Sequence, residues 1–189
     1  MFFIKYIFIV FIGKCFENVI FAAYNPMLTY TIRFQKLYFQ PNFTGNYTIN
    51  KYREKEFVNG YIALDSPEPL EKIVVVFQRC NPEGVNCEYF QSWTLTDLCP
   101  KLKDKNQIWS SWYRAFDPQP NCPVKKVNSF IRNGTIDFAP AVRWYPDVVN
   151  YQWKVTQKFY AAGEHYIGSY TLELSVFGYR KRNIKQSKQ

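Results

Sequence analysis

Alternation of apolar and polar residues with a period of two runs through much of the chain and predicts β-strands. The segments 151–158 and 166–177 show it most clearly, with polar residues at every second position. Their apolar faces carry Tyr151, Trp153, Val155, Tyr170, Leu172, Leu174 and Val176. Because only a short, glycine-containing link joins these two segments, we expect them to form an antiparallel hairpin with one buried face.

Earlier parts of the chain contain further runs that are rich in β-branched and aromatic residues. Only the segment from Tyr89 to Leu98 fits a short helix, and a turn or a strand is the close alternative there. The run from Ile73 to Phe77 is apolar on both faces, which indicates a central strand covered on each side, or one that lines a cavity. The other candidate strands are 29–39, 46–52, 57–64, 72–79 and 128–138, the last with a break near 133–134.

Glycine, proline and asparagine separate these runs, so the chain is predicted to form six to eight strands joined by turns. This organisation is typical of an all-β antiparallel β-sandwich or barrel. We expect a single domain over residues 23–178, because no internal repeat or linker interrupts it. Residues 179–189 are polar and basic and are expected to form a flexible tail.

The first twelve residues are almost wholly apolar, apart from Lys5, as in a secretory signal peptide. Cleavage is expected after Cys15 or after Ala22, and we take 1–22 as the signal peptide; a retained signal-anchor is the alternative. Three N-glycosylation sequons begin at Asn42, Asn46 and Asn133. The chain is therefore predicted to be a secreted, extracellular glycoprotein.

The formal net charge is +9, which fits an anionic membrane surface, a glycan or a nucleic acid as partner. Lysine and arginine are scattered along the chain, except in the segment 101–105 and in the tail. No nucleic-acid-binding motif accompanies them. We therefore predict no nucleic-acid partner, and we treat the charge as a solvated surface that can meet an anionic membrane or a receptor.

Four cysteines, Cys80, Cys87, Cys99 and Cys122, remain after removal of the leader. In an exported protein an even number of cysteines predicts two disulfides. Spacing alone leaves three pairings open, although turn residues after Cys80 favour a return to Cys87. A zinc site is not expected, because no Cys-x-x-Cys pair is present.

The residues around these cysteines resemble a known family. The segment Cys80-Asn-Pro-Glu-Gly-Val-Asn-Cys87 and the segment Asn121-Cys-Pro-Val-Lys-Lys126, followed by paired terminal strands, resemble the GM2-activator branch of the MD-2-related lipid-recognition proteins. Related insect chemosensory secreted proteins are similar in chain length and cysteine set. The resemblance implies an immunoglobulin-like sandwich opened into a lipid-binding cup. It also implies the bridges Cys80–Cys87 and Cys99–Cys122 and a lipid held between the sheets.

Under this interpretation two groups of residues are candidates for the ligand-binding wall. The strands contribute Val74, Val76, Phe77, Tyr151, Trp153, Val155, Tyr170, Leu172 and Leu174. The connection between Cys99 and Cys122 contributes the aromatics Trp109, Trp112, Tyr113 and Phe116 beside Ile108. These aromatics form either a lid or interfacial anchor, or a short amphipathic helix that closes the core. The alternative for the strand residues is a filled sandwich core.

The predicted function is that of a secreted, non-catalytic protein. It would hold an acyl, glycolipid, hydrocarbon or pheromone-like ligand for transport or presentation. The alternative is a protein-interaction module with a solid core. Catalysis is not expected, because the only histidine, His165, lies in a predicted turn and no nucleophile elbow, zinc-protease or phosphate-loop motif is present. We predict no cofactor and no metal.

Overall fold

The computed structural model describes residues 25–180. The predicted signal peptide and residues 181–189 of the predicted tail lie outside these residues. Nine strands form within the described range. They are β1 (Thr29–Phe39), β2 (Phe43–Tyr52), β3 (Lys55–Asp65), β4 (Leu70–Cys80), β5 (Glu88–Thr96), β6 (Phe116–Asp117), β7 (Lys126–Gly134), β8 (Gln152–Ala161) and β9 (Tyr166–Tyr179).

The strands form two antiparallel sheets. The larger sheet has five strands in the order β1-β9-β8-β4-β5, and the smaller has four in the order β2-β3-β7-β6. Apolar side chains from both sheets meet in one core, since each strand presents alternate residues to the facing sheet. The predicted all-β sandwich is confirmed.

The hairpin of β8 and β9 follows the sequence pattern closely. Burial alternates along β8, with Trp153, Val155 and Phe159 inside. On β9 the predicted apolar face is buried, including Leu172 and Leu174 at zero exposure. A short 3-10 turn, Ala162–Glu164, joins the strands. The predicted strand pair and its buried face are therefore confirmed.

Strand β4 buries alternate side chains, but its apolar sequence does not show which of them face the core. Ile73 and Val75 are buried in the core, and Phe77 follows them on the same face. Val74 and Val76 lie on the opposite face, where they pair with Lys158 and Thr156 of β8. Because successive side chains of a strand point to opposite faces, these two valines cannot belong to an interior wall. Their assignment to the ligand-binding wall was wrong.

Three short helices and a 3-10 helix complete the described chain. They are α1 (Leu98–Lys103), α2 (Ser110–Arg114), α3 (Ala139–Trp144) and the 3-10 helix Pro146–Asn150. Helix α1 packs near β4, α2 near β7, and α3 near β1. No helix between residues 25 and 180 is long and apolar enough to span a membrane.

Two disulfides join the four predicted cysteines as Cys80–Cys87 and Cys99–Cys122. The first closes the turn between β4 and β5. The second ties α1 to the segment before β7 and encloses α2 in the loop. The pairing implied by the family resemblance is therefore confirmed, and the other two pairings and the zinc alternative are excluded.

The space between the two sheets is filled by the chain's own side chains. Trp112 and Tyr170 are each 1% exposed, and Phe43 and Phe159 pack on Tyr170 with ring centroids 5.6 and 5.7 Å away. The void that remains there measures only about 20 Å³. A volume of that size is close to one water molecule, so no aliphatic chain fits at this position.

Candidate functional site

A cleft of about 680 Å³ opens on the inner face of the larger sheet, beside the filled part of the sandwich. Its floor comes from the second half of β4, most of β5 and the start of β8. The floor residues are Phe77, Phe90, Gln91, Trp93, Leu95 and Trp153. Here the inner face of the larger sheet is covered by loops and short helices instead of strands. These segments do not pack fully against the sheet, and the space between them and the sheet is the cleft.

Two segments outside the sheets form the opposite walls of the cleft. One precedes α2, and the other runs from the residue before α3 into the 3-10 helix. The walls consist of Asn106, Gln107, Ile108, Trp109, Phe138, Pro140, Ala141, Trp144, Tyr145 and Val148. Trp144 is 89% exposed and therefore stands at the mouth of the cleft.

Aromatic contacts fix the shape of the cleft. The ring centroids of Phe77 and Trp93 are 4.6 Å apart, and those of Phe90 and Trp153 are 5.1 Å apart. The indole N–H of Trp153 donates to the carbonyl of Val148 at 2.9 Å. The indole N–H of Trp109 likewise donates to the Lys101 carbonyl at 3.2 Å. With their N–H groups bonded to the backbone, both indoles contribute apolar ring surface to the cleft.

The lining of the cleft carries no charged side chain, and its polar groups besides the indole nitrogens are the amides of Gln91, Asn106 and Gln107 and the hydroxyl of Tyr145. Arg79 lies nearby, where it donates to Glu88 Oε1 at 2.6 Å and stacks over Phe90 at 5.7 Å. Its charge is paired with that of Glu88, and it also donates to the hydroxyl of the lining residue Tyr145 at 3.4 Å. Within residues 25–180, no three His, Cys, Asp or Glu side chains come together as a metal site would require.

A smaller pocket of about 40 Å³ lies directly behind the cleft, with which it shares six lining residues. Its inner end is formed by Val75, Trp112, Tyr113, Val155 and Gln157. The pocket therefore extends the cleft toward the filled core. Every tryptophan of the chain lines either the cleft or this pocket.

Buried hydroxyl groups connect the pocket to the core. The Trp112 indole N–H donates to the Tyr170 hydroxyl at 2.9 Å, and the Tyr113 hydroxyl donates to Gln157 Oε1 at 2.5 Å. Burial raises the pKa of Tyr113 and that of Tyr170 well above the usual value for tyrosine, because the phenolate would lose its hydration. Both residues therefore stay neutral in the folded protein.

This burial predicts a loss of stability at high pH. In the unfolded chain both tyrosines ionise near pH ~10, whereas in the folded protein they keep their protons. The free energy of unfolding is therefore unaffected by the ionisation of these two groups below that pH. It decreases as the pH rises toward the folded pKa, by up to about 1.4 kcal/mol per pH unit for each group. Urea unfolding at increasing alkaline pH measures it. Tyr113→Phe should reduce the slope, and an unchanged slope would contradict this assignment.

The structure places the predicted wall residues in several different environments. Phe77, Trp109 and Trp153 line the cleft. Trp112, Tyr113 and Val155 line the pocket behind it. The other predicted wall residues line neither the cleft nor this pocket. Phe116 and Tyr170 lie at the small void between the sheets, and Leu172 and Leu174 lie in the core. Tyr151 lies beside Arg79 and Trp153, whereas Val74 and Val76 are on the outer face of the larger sheet.

Sequence reasoning missed much of the cleft. Phe90, Trp93 and Leu95 were not predicted to line the site. The pattern from Tyr89 to Leu98 fits a helix, a turn or a strand, so it does not show which of these side chains face inward. The wall from Phe138 to Val148 was not assigned either. The signal that could have found it is the pair Trp144-Tyr145 in a proline-flanked connection, since large aromatics in a surface connection usually cover an apolar surface.

The predicted modification sites are all on the surface. Asn46 and Asn133 are exposed, on β2 and β7 respectively. Asn42 is exposed as well, but its side-chain nitrogen donates to the Ile167 carbonyl at 2.6 Å, a contact that a glycan would have to replace. Glycosylation of the three sites stays a prediction. His165 is also exposed, in the connection between β8 and β9.

Comparison of the sequence with protein-family models and with curated proteins finds no match.

Proposed function

We propose that this chain is a secreted, non-catalytic lipid-binding protein that holds an aliphatic ligand in the cleft for transport or presentation. The observation that carries the proposal is the cleft itself, about 680 Å³ in volume and lined by aromatic and aliphatic side chains. Small-molecule sites are typically concave, mostly apolar and of this size, with a few polar groups that orient the ligand. Gln91, Asn106 and Gln107 are suitable for the latter role.

Hydrophobic burial alone gives such a site considerable affinity. Each methylene transferred from water contributes about 0.8 kcal/mol, so a chain of about ten buried methylenes gains roughly 8 kcal/mol before ordering costs. No charged side chain among the described lining residues opposes this transfer. The binding energy would therefore increase with the length of the ligand until the cleft is full.

The proposed site differs from the one expected from the sequence. A lipid between the two sheets is not compatible with the filled space around Trp112 and Tyr170. The ligand is proposed to lie beside that core, between the larger sheet and the segments around α2 and α3. The observed sandwich and both bridges agree with what the resemblance to the MD-2-related lipid-recognition proteins implies, and membership of that family is part of the proposal.

Two further observations support binding over catalysis and an extracellular location. The cleft lining contains no carboxylate, histidine, serine or cysteine that could act as nucleophile or general base. Two structural disulfides are typical of proteins that mature in an oxidising compartment. The alternative function, a protein-interaction module, is favoured by the filled core but leaves the cleft unexplained.

Tryptophan fluorescence tests the proposal directly. Four of the five tryptophans line the cleft, so a fatty-acid methyl ester brominated along its chain should quench most of the emission in a saturable way. The unbrominated ester, which competes for the site without quenching, is the matched control and should restore the signal. Mass spectrometry of an organic extract of the purified protein identifies any ligand that co-purifies. Absence of saturable quenching, with no extracted lipid, would favour the interaction module.

A further inference from the structure

Gln157 is a buried polar residue, so both the oxygen and the nitrogen of its amide need hydrogen-bond partners. It is 5% exposed and lies on the inner face of β8, opposite Val75 of β4 and Tyr170 of β9. Its side chain lines the inner end of the pocket behind the cleft. A leucine at this position would fill the same space without burying an amide, so the amide calls for a partner.

Hydrogen bonds commit the oxygen of this amide. The Tyr113 hydroxyl donates to Gln157 Oε1 at 2.5 Å, and the Trp112 indole N–H donates to the Tyr170 hydroxyl. The bond from Tyr113 therefore fixes which end of the Gln157 amide faces the tyrosine.

The nitrogen of the same amide remains available. Gln157 Nε2 donates to no acceptor within residues 25–180, where every side-chain nitrogen or oxygen that is sealed from solvent has a partner. The nitrogen is therefore in contact with the free volume of the pocket that Gln157 lines. Because Gln157 lines this pocket and neither the cleft nor the small void between the sheets, the pocket is where an acceptor can reach its nitrogen.

A water molecule is a poor occupant for this position. Buried waters usually make about three hydrogen bonds, and rarely fewer than two. Of the pocket's other polar groups in this part of the chain, the indole nitrogens of Trp109 and Trp112 and the Tyr113 hydroxyl already donate to other partners. A ligand oxygen suits the site better, because the rest of the ligand gains hydrophobic burial in the adjoining cleft.

We infer that the ligand is an uncharged aliphatic carbonyl compound, such as an ester, aldehyde or ketone. Its oxygen accepts a hydrogen bond from Gln157 Nε2, and its chain runs outward through the cleft. This inference rests on the proposed lipid-binding function. A carboxylate is disfavoured because the pocket lining holds no cation, and an alkane leaves the amide N–H groups unbonded. An alcohol leaves its own proton without an acceptor.

Ligands of equal chain length test the inference. Dodecane, dodecanal, dodecyl acetate and dodecanoate would each displace an apolar fluorescent probe from the wild-type protein. Dodecanal and the acetate should bind about tenfold more tightly than dodecane and dodecanoate. Gln157→Met, which keeps an unbranched side chain but removes the amide, should abolish this preference, so that the variant binds dodecanal and dodecane with similar affinity. Gln78→Met, the same exchange at a residue of β4 that lines neither the pocket nor the cleft, is the matched control and should keep the preference.

The outcomes separate this inference from the proposed function. Equal affinity of the wild-type protein for dodecane and dodecanal would overturn the inference and leave lipid binding intact. Displacement by none of the four ligands would overturn both. The infrared carbonyl frequency of bound, carbon-isotope-labelled dodecanal gives a second readout that needs no variant. A frequency lowered relative to that in hexane supports the hydrogen bond, and a hexane-like frequency contradicts it.

Discussion

Replacing Ala141 with aspartate is expected to weaken binding of an aliphatic ester about 100-fold. Ala141 lies in α3 and lines the cleft. In the free protein the new carboxylate can remain hydrated, because the residue is only half-buried and the cleft is open. A bound chain would displace that water and leave the charge without a cation among the lining residues, at a cost of about 3 kcal/mol or more. Titration with the brominated ester measures the loss.

The matched control is Ala139→Asp, in the same helix but outside the cleft lining. It introduces the same charge and should change the affinity less than about twofold. Both variants should unfold within about 0.5 kcal/mol of the wild-type protein, since neither alanine belongs to the buried core. Wild-type affinity in both variants would place the ligand elsewhere, whereas the same loss of affinity in both would point to a general effect of charge.

The strands of this fold could be predicted from the sequence because each half-buried strand alternates between apolar and polar residues. Strand β1 was expected at 29–39 and forms there, and β8 and β9 show the predicted buried faces. The position of strand β4 in the sequence was predicted, but not which of its side chains face the core. With Val74, Val75 and Val76 in succession, neither face is marked as polar, and only the pairing with β8 decides which valine is buried.

The cleft was harder to predict, because it depends on where covering segments leave a gap. Of the predicted lid, Trp112 and Phe116 belong to the core, whereas Ile108 and Trp109 line the cleft. The segment therefore contributes to both the core and the wall of the cleft. The wall near α3 was missed for a physical reason. A helix of six residues is too short for a helical period to be visible, and tertiary packing determines where it lies.

Replacing Trp112 with alanine is expected to lower the free energy of unfolding by about 4 kcal/mol. The side chain is 1% exposed, and its ring packs on Phe34 and Phe116 at centroid distances of 6.3 and 6.1 Å. Removing a buried tryptophan costs about 3–5 kcal/mol through lost transfer energy and the cavity left behind. The loss is large relative to a total stability of roughly 5–15 kcal/mol. Equilibrium unfolding in urea measures it.

Trp144→Ala distinguishes the two roles that tryptophans have in this molecule. Trp144 is 89% exposed at the mouth of the cleft, so its removal should change the free energy of unfolding by less than about 0.5 kcal/mol. Loss of its contact with the ligand should nonetheless weaken ester binding severalfold. A large loss of stability in Trp144→Ala, or a small one in Trp112→Ala, would contradict the division into a solid core and a separate cleft.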